Sequence, residues 1–113
     1  MGKVIRLPSA YVLNTKTVGV SKENADGSSR QEVIKNEVAE DDPIRLEHEP
    51  DNPHDSHAIK VLTETGKQIG YLSKDVAPRI QSAIENEAHI YAKVSWVSGE
   101  KVMGVGLRIE LIN

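Results

Sequence analysis

The sequence predicts a single α+β domain that is mainly β, a small barrel or half-open sheet of about six strands with two helices. The strand segments are short, rich in β-branched or alternating apolar residues, and separated by turn residues. Two other segments repeat apolar residues every three or four positions, which is typical of helices. The segment order lacks the strand-helix alternation of doubly wound folds, so a barrel with helices plugging it is favoured.

The first strand is predicted over Tyr11–Ser21, which is rich in β-branched and aromatic residues. Gly19 within it indicates a bulge or the close approach of another backbone. The preceding residues show no clear pattern. We therefore expect an N-terminal tail at 1–10 and a core over about 11–112, within one domain spanning 1–113.

A short helix is predicted over Arg30–Val38, with Ser28 or Ser29 as its N-cap. The connector that follows is acidic and ends in a proline. A second strand is then predicted over Ile44–Glu49, where apolar and charged residues alternate as in a strand buried on one face.

The rest of the chain is organised around Glu49–Leu62, EPDNPHDSHAIKVL, a polar loop of several turns that leads into a strand over Ala58–Leu62. Polar loops held by strands often carry function. Asn52 and Asp55 in this loop fit two interpretations, capping of turns or binding, and the residues alone leave both open. A second strand over Gln68–Leu72 completes a β-hairpin.

A second helix is predicted to run to Glu87, with Ser73 as its N-cap and Pro78 near its first turn. Its apolar residues recur at three-to-four spacing from Val76 onward. This pattern indicates an amphipathic helix that buries one face.

Two strands close the chain, over His89–Val97 and Val102–Ile112. Trp96 shares the parity of the apolar residues in the first of them, so the alternation groups it with that apolar face. In the last strand, Gly104 and Gly106 leave two central positions without side chains.

Composition limits the class of protein. There is no cysteine, which excludes a disulfide framework and a thiolate metal site. The sequence contains no apolar run of membrane-spanning length and no signal-peptide pattern, so we expect a cytoplasmic protein. Aromatic residues are few, and stacking platforms for bases are therefore scarce.

The net charge of -3 is unevenly distributed. Residues 37–51 form an acidic block with seven acidic residues and one basic residue, whereas the other segments are balanced or basic. Such a block is most often a solvated loop. A positive face elsewhere is therefore compatible with the overall charge.

The common catalytic signatures are absent: there is no nucleophile elbow, phosphate loop, dinucleotide fingerprint or cysteine nucleophile. We expect a protein that is not an enzyme and needs no cofactor. A metal site is a less favoured alternative, resting on the cluster His48, Asp51, His54, Asp55 and His57. These residue types bind Zn²⁺ or Mn²⁺, but their spacing does not fix two ligands on one face.

Nucleic acid is the better-supported target. Tyr71 is suited to stacking on a base, and Asp55 to accepting a hydrogen bond from a sugar hydroxyl. Several basic residues near the central loop are suited to phosphates: Lys22, Arg30, Lys60, Lys67 and Lys74. Each also has an ordinary interpretation as a solubility or packing residue.

The segments VGVS, DDPIRLEHEPDNPHDSHAIKVL and GKQIGYLSKDVAPRI follow one another along the chain, with GVGLRIEL as a closing strand. In this order of segments, over roughly Lys16–Asn86, the chain resembles the HIRAN domain, a module found in SNF2-type remodelling ATPases and alone in bacteria and phages. It implies an OB-like β-barrel that binds single-stranded DNA and, in the eukaryotic members, the 3′-hydroxyl end of that DNA.

The resemblance also implies residue roles. The family motif NP-aromatic-D falls on Asn52, Pro53, His54 and Asp55, with Asp55 on the terminal hydroxyl and Asn52 shaping the loop. His54 stands where a tyrosine is usual, so stacking there is weaker. Lys74 matches a lysine that meets phosphate.

Two positions depart from the family pattern. Tyr71 falls where the family member in the remodelling ATPases has a histidine, and Ser21-Lys22 stands where an Arg-Tyr pair is usual. Lys22 restores a charge without the bidentate fork of arginine. The resemblance therefore implies weak, salt-sensitive DNA binding in repair or replication, beside an ATPase, helicase or other repair protein. The predicted DNA-binding residues are Lys22, Asn52, His54, Asp55, Lys60, Tyr71 and Lys74.

The alternative is a protein-interaction module that binds DNA weakly or not at all. It would engage a partner through an exposed strand edge or the acidic block. A basic groove lined by Lys22, Lys60 and Lys74 would favour DNA, whereas an apolar patch there would favour a protein partner.

Overall fold

The computed structural model describes residues 10–112. The elements are β1 (Ala10–Val18), α1 (Arg30–Glu37), β2 (Pro43–His48), β3 (Ile59–Thr63), β4 (Gln68–Leu72), α2 (Ala77–Glu85), β5 (His89–Ser98) and β6 (Gly104–Ile112). All strand pairs are antiparallel, and the strands close into a barrel in the order β1-β4-β3-β2-β5-β6. The predicted mainly β barrel with six strands and two helices is confirmed.

The barrel consists of two three-stranded sheets, β1-β6-β5 and β4-β3-β2, that meet at two short seams. The seam pairs are Thr17–Leu72 and Val18–Tyr71 between β1 and β4, and Pro43–Lys93 and Ile44–Ala92 between β2 and β5. The pairings inside each sheet are longer. The strands are therefore joined all the way round, but narrowly at the two seams.

Aliphatic side chains fill the barrel, as the absence of phenylalanine requires. The largest fully buried side chains are Ile34, Ile59, Val61, Ile69, Ile80, Val94, Val105, Leu107 and Ile109. Both helices contribute to this core, through Ile34 of α1 and Ile80 of α2. Neither helix within residues 10–112 has the length and apolar character needed to span a bilayer.

The first strand ends at Val18, three residues earlier than predicted. Gly19 adopts a φ of 70° and turns the chain out of the sheet. A Cβ atom on Gly19 would lie 3.1 Å from Nη1 of Arg30, so the close neighbour there is a side chain and not another backbone. At the other end, Ala10 belongs to β1 instead of the expected tail, and residues 1–9 lie outside the described residues.

Ser29 caps α1, in agreement with one of the two predicted caps. Its Oγ accepts the backbone N–H of Glu32 at 3.2 Å, while Ser28 donates to Asp26 at 2.6 Å instead. The cap satisfies an N–H group that the first helical turn leaves without a partner. It also fixes Arg30 as the first helical residue.

Ser73 does not cap α2, contrary to the prediction. The helix begins at Ala77, and the N-cap residue Val76 makes no side-chain capping bond. The carbonyl of Ser73 accepts the backbone N–H groups of Val76 at 3.1 Å and Ala77 at 3.0 Å, so it closes a turn ahead of the helix. Pro78 lies in the first helical turn, as predicted.

Trp96 does not share the buried face of β5, and this prediction was wrong. A bulge between Val94 and Trp96 shifts the alternation, so that Val94 is fully buried while Trp96 is 41% exposed. The indole lies over Gly106 of β6, where a Cβ atom would overlap it. The glycine therefore accommodates the outward tryptophan.

Candidate nucleic-acid interface

The loop between β2 and β3 is fixed by its own Asx side chains. Oδ1 of Asn52 accepts the backbone N–H groups of His54 at 2.9 Å and Asp55 at 3.0 Å. Oδ1 of Asp55 accepts the N–H of His57 at 2.8 Å. Both residues therefore cap turns, and these bonds order the backbone that presents Asp55; the binding interpretation stays a prediction.

Glu49 is the centre of the polar contacts beside this loop. Its Oε1 accepts hydrogen bonds from Asn52 Nδ2 and from the hydroxyl of Tyr71, both at 2.8 Å. Its Oε2 lies 3.0 Å from Nζ of Lys60. One carboxylate therefore joins the loop to strands β3 and β4.

The ionisation of Glu49 and Lys60 follows from these contacts. Partial burial opposes ionisation of Glu49, but hydrogen bonds from Asn52, Lys60 and Tyr71 outweigh burial and hold the pKa of Glu49 below its ordinary value. The hydrogen bond to Glu49 raises the pKa of Lys60. Both groups are charged at neutral pH, and the charge of Lys60 is balanced within the chain.

Arg30 supports Tyr71 from inside the fold. The arginine is only 6% exposed, and its Cζ lies 5.3 Å from the centroid of the Tyr71 ring, within cation–π range. Its Nη1 donates to the carbonyl of Gly19 at 2.8 Å and its Nε to Oδ1 of Asn24 at 2.7 Å. Nδ2 of Asn24 in turn donates to the carbonyl of Gln68 at 2.9 Å. The guanidinium thus ties the start of α1 to the end of β1 and to β4.

The structure brings together part of the predicted site. Glu49 bonds directly to Asn52, Lys60 and Tyr71, and Asn52 extends the network to the backbone of His54 and Asp55. Lys60 and Tyr71 are also direct cross-strand partners.

Lys22 and Lys74 lie outside this network, on turns, with exposed side chains. The carbonyl of Lys22 accepts the N–H of Arg30 at 3.4 Å, which holds its turn beside α1. Lys74 follows the end of β4. Of the other basic residues near the loop, Lys67 is bonded to Glu37 at 2.7 Å.

The histidines are engaged separately. Nε2 of His48 lies 2.7 Å from the carbonyl of Ser56, and Nδ1 of His57 contacts the side chain of Gln81 on α2. His54 is exposed. Among residues 10–112, no three His, Asp or Glu side chains are grouped so that they could hold a metal ion.

Sequence reasoning missed the roles of Glu49 and Arg30. Arg30 precedes the buried Val33 and Ile34 by three and four positions, so helical spacing put it on the inner face of α1. That spacing was a usable signal. Glu49 offered none, because two of its three partners come from other strands.

The protein-interaction alternative relies on an exposed strand edge or on the acidic block, and in the fold both are partly engaged by other residues of the chain. Every strand within residues 10–112 has a neighbour on both sides, so none is an edge strand along its whole length, although each of the two seams holds only two residue pairs. Three of the seven acidic residues in the acidic block are bonded to lysines: Glu37 to Lys67, Asp41 to Lys93, and Glu49 to Lys60. The block is therefore partly paired instead of fully solvated.

Solved structures share this fold. The crystal structure of the HIRAN domain of human HLTF aligns with a TM-score of 0.71 at 23% identity, over 90% of this chain and 75% of that chain. A crystal structure of a Lactobacillus plantarum protein aligns with a TM-score of 0.70 at 17% identity, over 92% and 98% of the two chains. The HLTF HIRAN domain in its DNA-bound conformation gives a TM-score of 0.62 at 23% identity, over 94% and 79%.

Sequence relatives agree with the structural ones. Helicase-like transcription factor from Oryctolagus cuniculus is 38% identical over 50 residues, and the human protein is 34% identical over 50 residues. These alignments cover 44% of this chain but only 5% of each relative. The family model described as the HIRAN domain matches residues 11–111. Because that match takes in nearly the whole barrel, the chain belongs to the HIRAN domain family.

Proposed function

We propose that this chain is a non-catalytic module that binds single-stranded DNA and holds its 3′-hydroxyl end at Asp55. The supporting observation is the ordered carboxylate of Asp55. One oxygen accepts the N–H of His57, and the other accepts no hydrogen bond from residues 10–112. A hydroxyl is a donor that suits such an oxygen.

The loop presents this carboxylate with little freedom. Asn52 holds the N–H of Asp55, and Glu49 holds Asn52. A ligand that bonds to Asp55 therefore spends little free energy on ordering the loop. The same chain of bonds leads to Tyr71, so the hydroxyl site and the aromatic ring belong to one framework.

The remaining contacts are modest. Arg30 occupies one face of Tyr71, so a base would stack on the opposite face, and His54 offers a second, smaller ring. Lys22 and Lys74 carry exposed charges for phosphates, whereas the charge of Lys60 is balanced by Glu49. With few stacks and few free cations, we expect weak, salt-sensitive binding, in which the small number of phosphate contacts sets the salt slope.

The class of ligand is supported by the relative whose HIRAN domain has a DNA-bound conformation. A role in DNA repair or replication, a cytoplasmic location, and a partner such as an ATPase, helicase or repair protein belong to the same proposal. The chain spans about 5% of the curated relatives it matches, so their other activities are not carried over.

The test is a titration of labelled single-stranded DNA with a free 3′-hydroxyl beside the same strand with a 3′-phosphate, at low and moderate salt. We expect the free end to bind more tightly. Asp55→Asn is the variant to compare, because its amide oxygen can still accept the N–H of His57 while the charge is lost.

Asp51→Asn is the matched control, since it removes an exposed acidic charge from the same loop. The proposal predicts that Asp55→Asn erases the preference for the free end and that Asp51→Asn keeps it. Equal binding of both strands by the wild type would reject end capture. Absence of binding to either strand at low salt would reject the DNA proposal and favour a protein-interaction module.

A further inference from the structure

A second surface that combines exposed aromatic and basic side chains lies on the outer face of the sheet β1-β6-β5. Three successive cross-strand rows on this face are Val12–Glu110–Tyr91, Asn14–Arg108–Lys93 and Lys16–Gly106–Trp96. Tyr91 is 59% exposed and Trp96 41% exposed, although aromatic residues are scarce in this chain. We name these three rows the β6 face.

The charges of the β6 face are mostly positive. Lys16, Lys93 and Arg108 face a single acidic residue, Glu110, on a chain whose net charge is -3. Lys93 and Arg108 are direct cross-strand partners, an arrangement of like charges that destabilises a sheet. Each of the two cations has an exposed carboxylate partner, Asp41 for Lys93 and Glu110 for Arg108, so the pair remains accessible to a bound anion.

The carboxylates near this pair do not block it. Lys93 lies 3.1 Å from Asp41, and Arg108 lies 3.3 Å from Glu110, in pairs that are well exposed. Exposed ion pairs contribute little free energy and exchange readily with other anions. Tyr91, Lys93, Arg108 and Glu110 line a shallow depression at this place.

The aromatic residues stand on either side of the cation pair. Tyr91 and Trp96 are separated by five positions on β5, roughly 16 Å along a strand. They would therefore stack on different bases of one extended strand, with phosphates meeting Lys93 and Arg108 between them. A combination of aromatic platforms and a basic track is characteristic of single-strand binding.

The β6 face is continuous with the loop site. Lys16 and Val18 both point outward from β1, two residues apart, and Val18 is 37% exposed. Val18 pairs with Tyr71 across the seam between β1 and β4. A path along the surface therefore runs from Tyr71 over β1 to Lys16 and Trp96.

We infer that a single strand whose 3′ end lies at Asp55 continues over β1 onto the β6 face, where Trp96 and Tyr91 stack on bases and Lys93 and Arg108 bind phosphates. This inference rests on the proposed function and adds the path of the upstream nucleotides. It assigns a binding role to residues outside the central loop.

The test compares oligothymidylates of about 4 and about 12 nucleotides, both with a free 3′-hydroxyl, by fluorescence anisotropy at low salt. We expect the longer strand to bind about tenfold more tightly to the wild type. Tyr91→Ser should remove most of that gain, since a stacked base contributes about 1–3 kcal/mol. Lys93→Gln should lower both the gain and its salt dependence.

The matched controls are Lys35→Gln, an exposed lysine on α1, and Asp55→Asn. Lys35→Gln should leave both affinities unchanged. Asp55→Asn should weaken the short strand while the gain with length persists. Because Tyr91 is well exposed, its variant is expected to fold, and the melting temperature checks this.

The outcomes separate the two proposals. Equal affinity for both lengths, or a gain with length that survives Tyr91→Ser, overturns the path over the β6 face and leaves end capture intact. A gain that Tyr91→Ser removes, without any preference for the free 3′-hydroxyl, supports the path and rejects end capture. Absence of binding to either length overturns both.

Discussion

The guanidinium of Arg30 lies over the ring of Tyr71, with its Cζ 5.3 Å from the ring centroid. This contact joins the first residue of α1 to the outward residue of β4 that the proposed site uses for stacking. The buried guanidinium is stabilised by hydrogen bonds, because the carbonyl of Gly19 and Oδ1 of Asn24 accept two of its N–H groups. The ring that would meet a base is therefore held from below by a buried cation.

Replacing Arg30 should destabilise the protein through this network. Arg30→Met leaves the carbonyl of Gly19 and the amide oxygen of Asn24 without their donor, and we expect the free energy of unfolding to fall by about 2–4 kcal/mol. Urea denaturation measures it. Arg79→Met removes an exposed arginine whose one side-chain bond within residues 10–112 is to the hydroxyl of Tyr11, and it should stay within about 0.5 kcal/mol. Comparable losses in the two variants would contradict the role assigned to Arg30.

The Glu49–Lys60 pair predicts a dependence of stability on pH. The pKa of Glu49 is lowered, so its contribution is present above the ordinary value of 4.5 and is lost as the pH falls through the folded-state pKa. The pKa of Lys60 is raised, so its contribution is present below 10.5 and is lost as the pH rises through the folded-state value. Stability should therefore decline at both extremes.

Urea denaturation of wild type and Glu49→Gln between about pH 7 and pH 3 checks the acid limb. We expect the variant to be less stable by about 1 kcal/mol at neutral pH and to lose less on acidification. Glu47→Gln is the control, because Glu47 is the cross-strand partner of Lys60 but is not bonded to it. If both variants follow the wild-type pH profile, the contacts of Glu49 do not stabilise the fold.

Gly70 should tolerate no side chain. A Cβ atom there would overlap the carbonyl oxygen of Val18 and the side chain of Thr17, so β1 would have to move away from β4. We expect Gly70→Ala to cost about 3 kcal/mol. Gly27→Ala is the control, since its Cβ would meet no described residue within 4 Å and only its φ of 87° is unfavourable, for about 1 kcal/mol. Thermal and urea unfolding rank the two, and equal costs would contradict the contact.

Thr17→Val should stabilise the protein. Thr17 is 2% exposed, and its Oγ1 has no hydrogen-bond partner among residues 10–112. Replacing this hydroxyl with a methyl group of similar size should gain about 1 kcal/mol. Thr63→Val is the control with the opposite sign, because the Oγ1 of Thr63 accepts the N–H of Lys67 at 3.0 Å. A loss of stability in both variants would mean that the hydroxyl of Thr17 does make a hydrogen bond in the folded protein.

The elements with strong local signals were predictable, and the long-range contacts were not. Alternation and helical spacing gave all six strands and both helices near their observed bounds. Closure of the barrel depends on two short seams that no local pattern encodes. Trp96 points outward because of a bulge in β5. The one sequence feature that indicates it is Gly106, the partner of Trp96 in β6.

The candidate site divides in the same way. Asn52 and Asp55 bond to backbone groups two or three residues away, so turn chemistry in the sequence was enough to identify them as ordering residues. Lys60 was expected to line a basic groove, but its charge is engaged by Glu49. That engagement requires β2 and β3 to be paired in a particular register, which the sequence alone does not specify.

The seam between β1 and β4 holds only two residue pairs, Thr17–Leu72 and Val18–Tyr71. Fewer residue pairs hold each of the two seams than hold the strands within either sheet, so the amide protons of the β1–β4 seam should exchange with solvent early. A strand of DNA that runs from Asp55 onto the β6 face crosses the seam at Val18. Bound DNA would therefore contact both sides of the seam and stabilise it. Amide exchange at the seam would slow, while exchange in the interior of each sheet would stay unchanged.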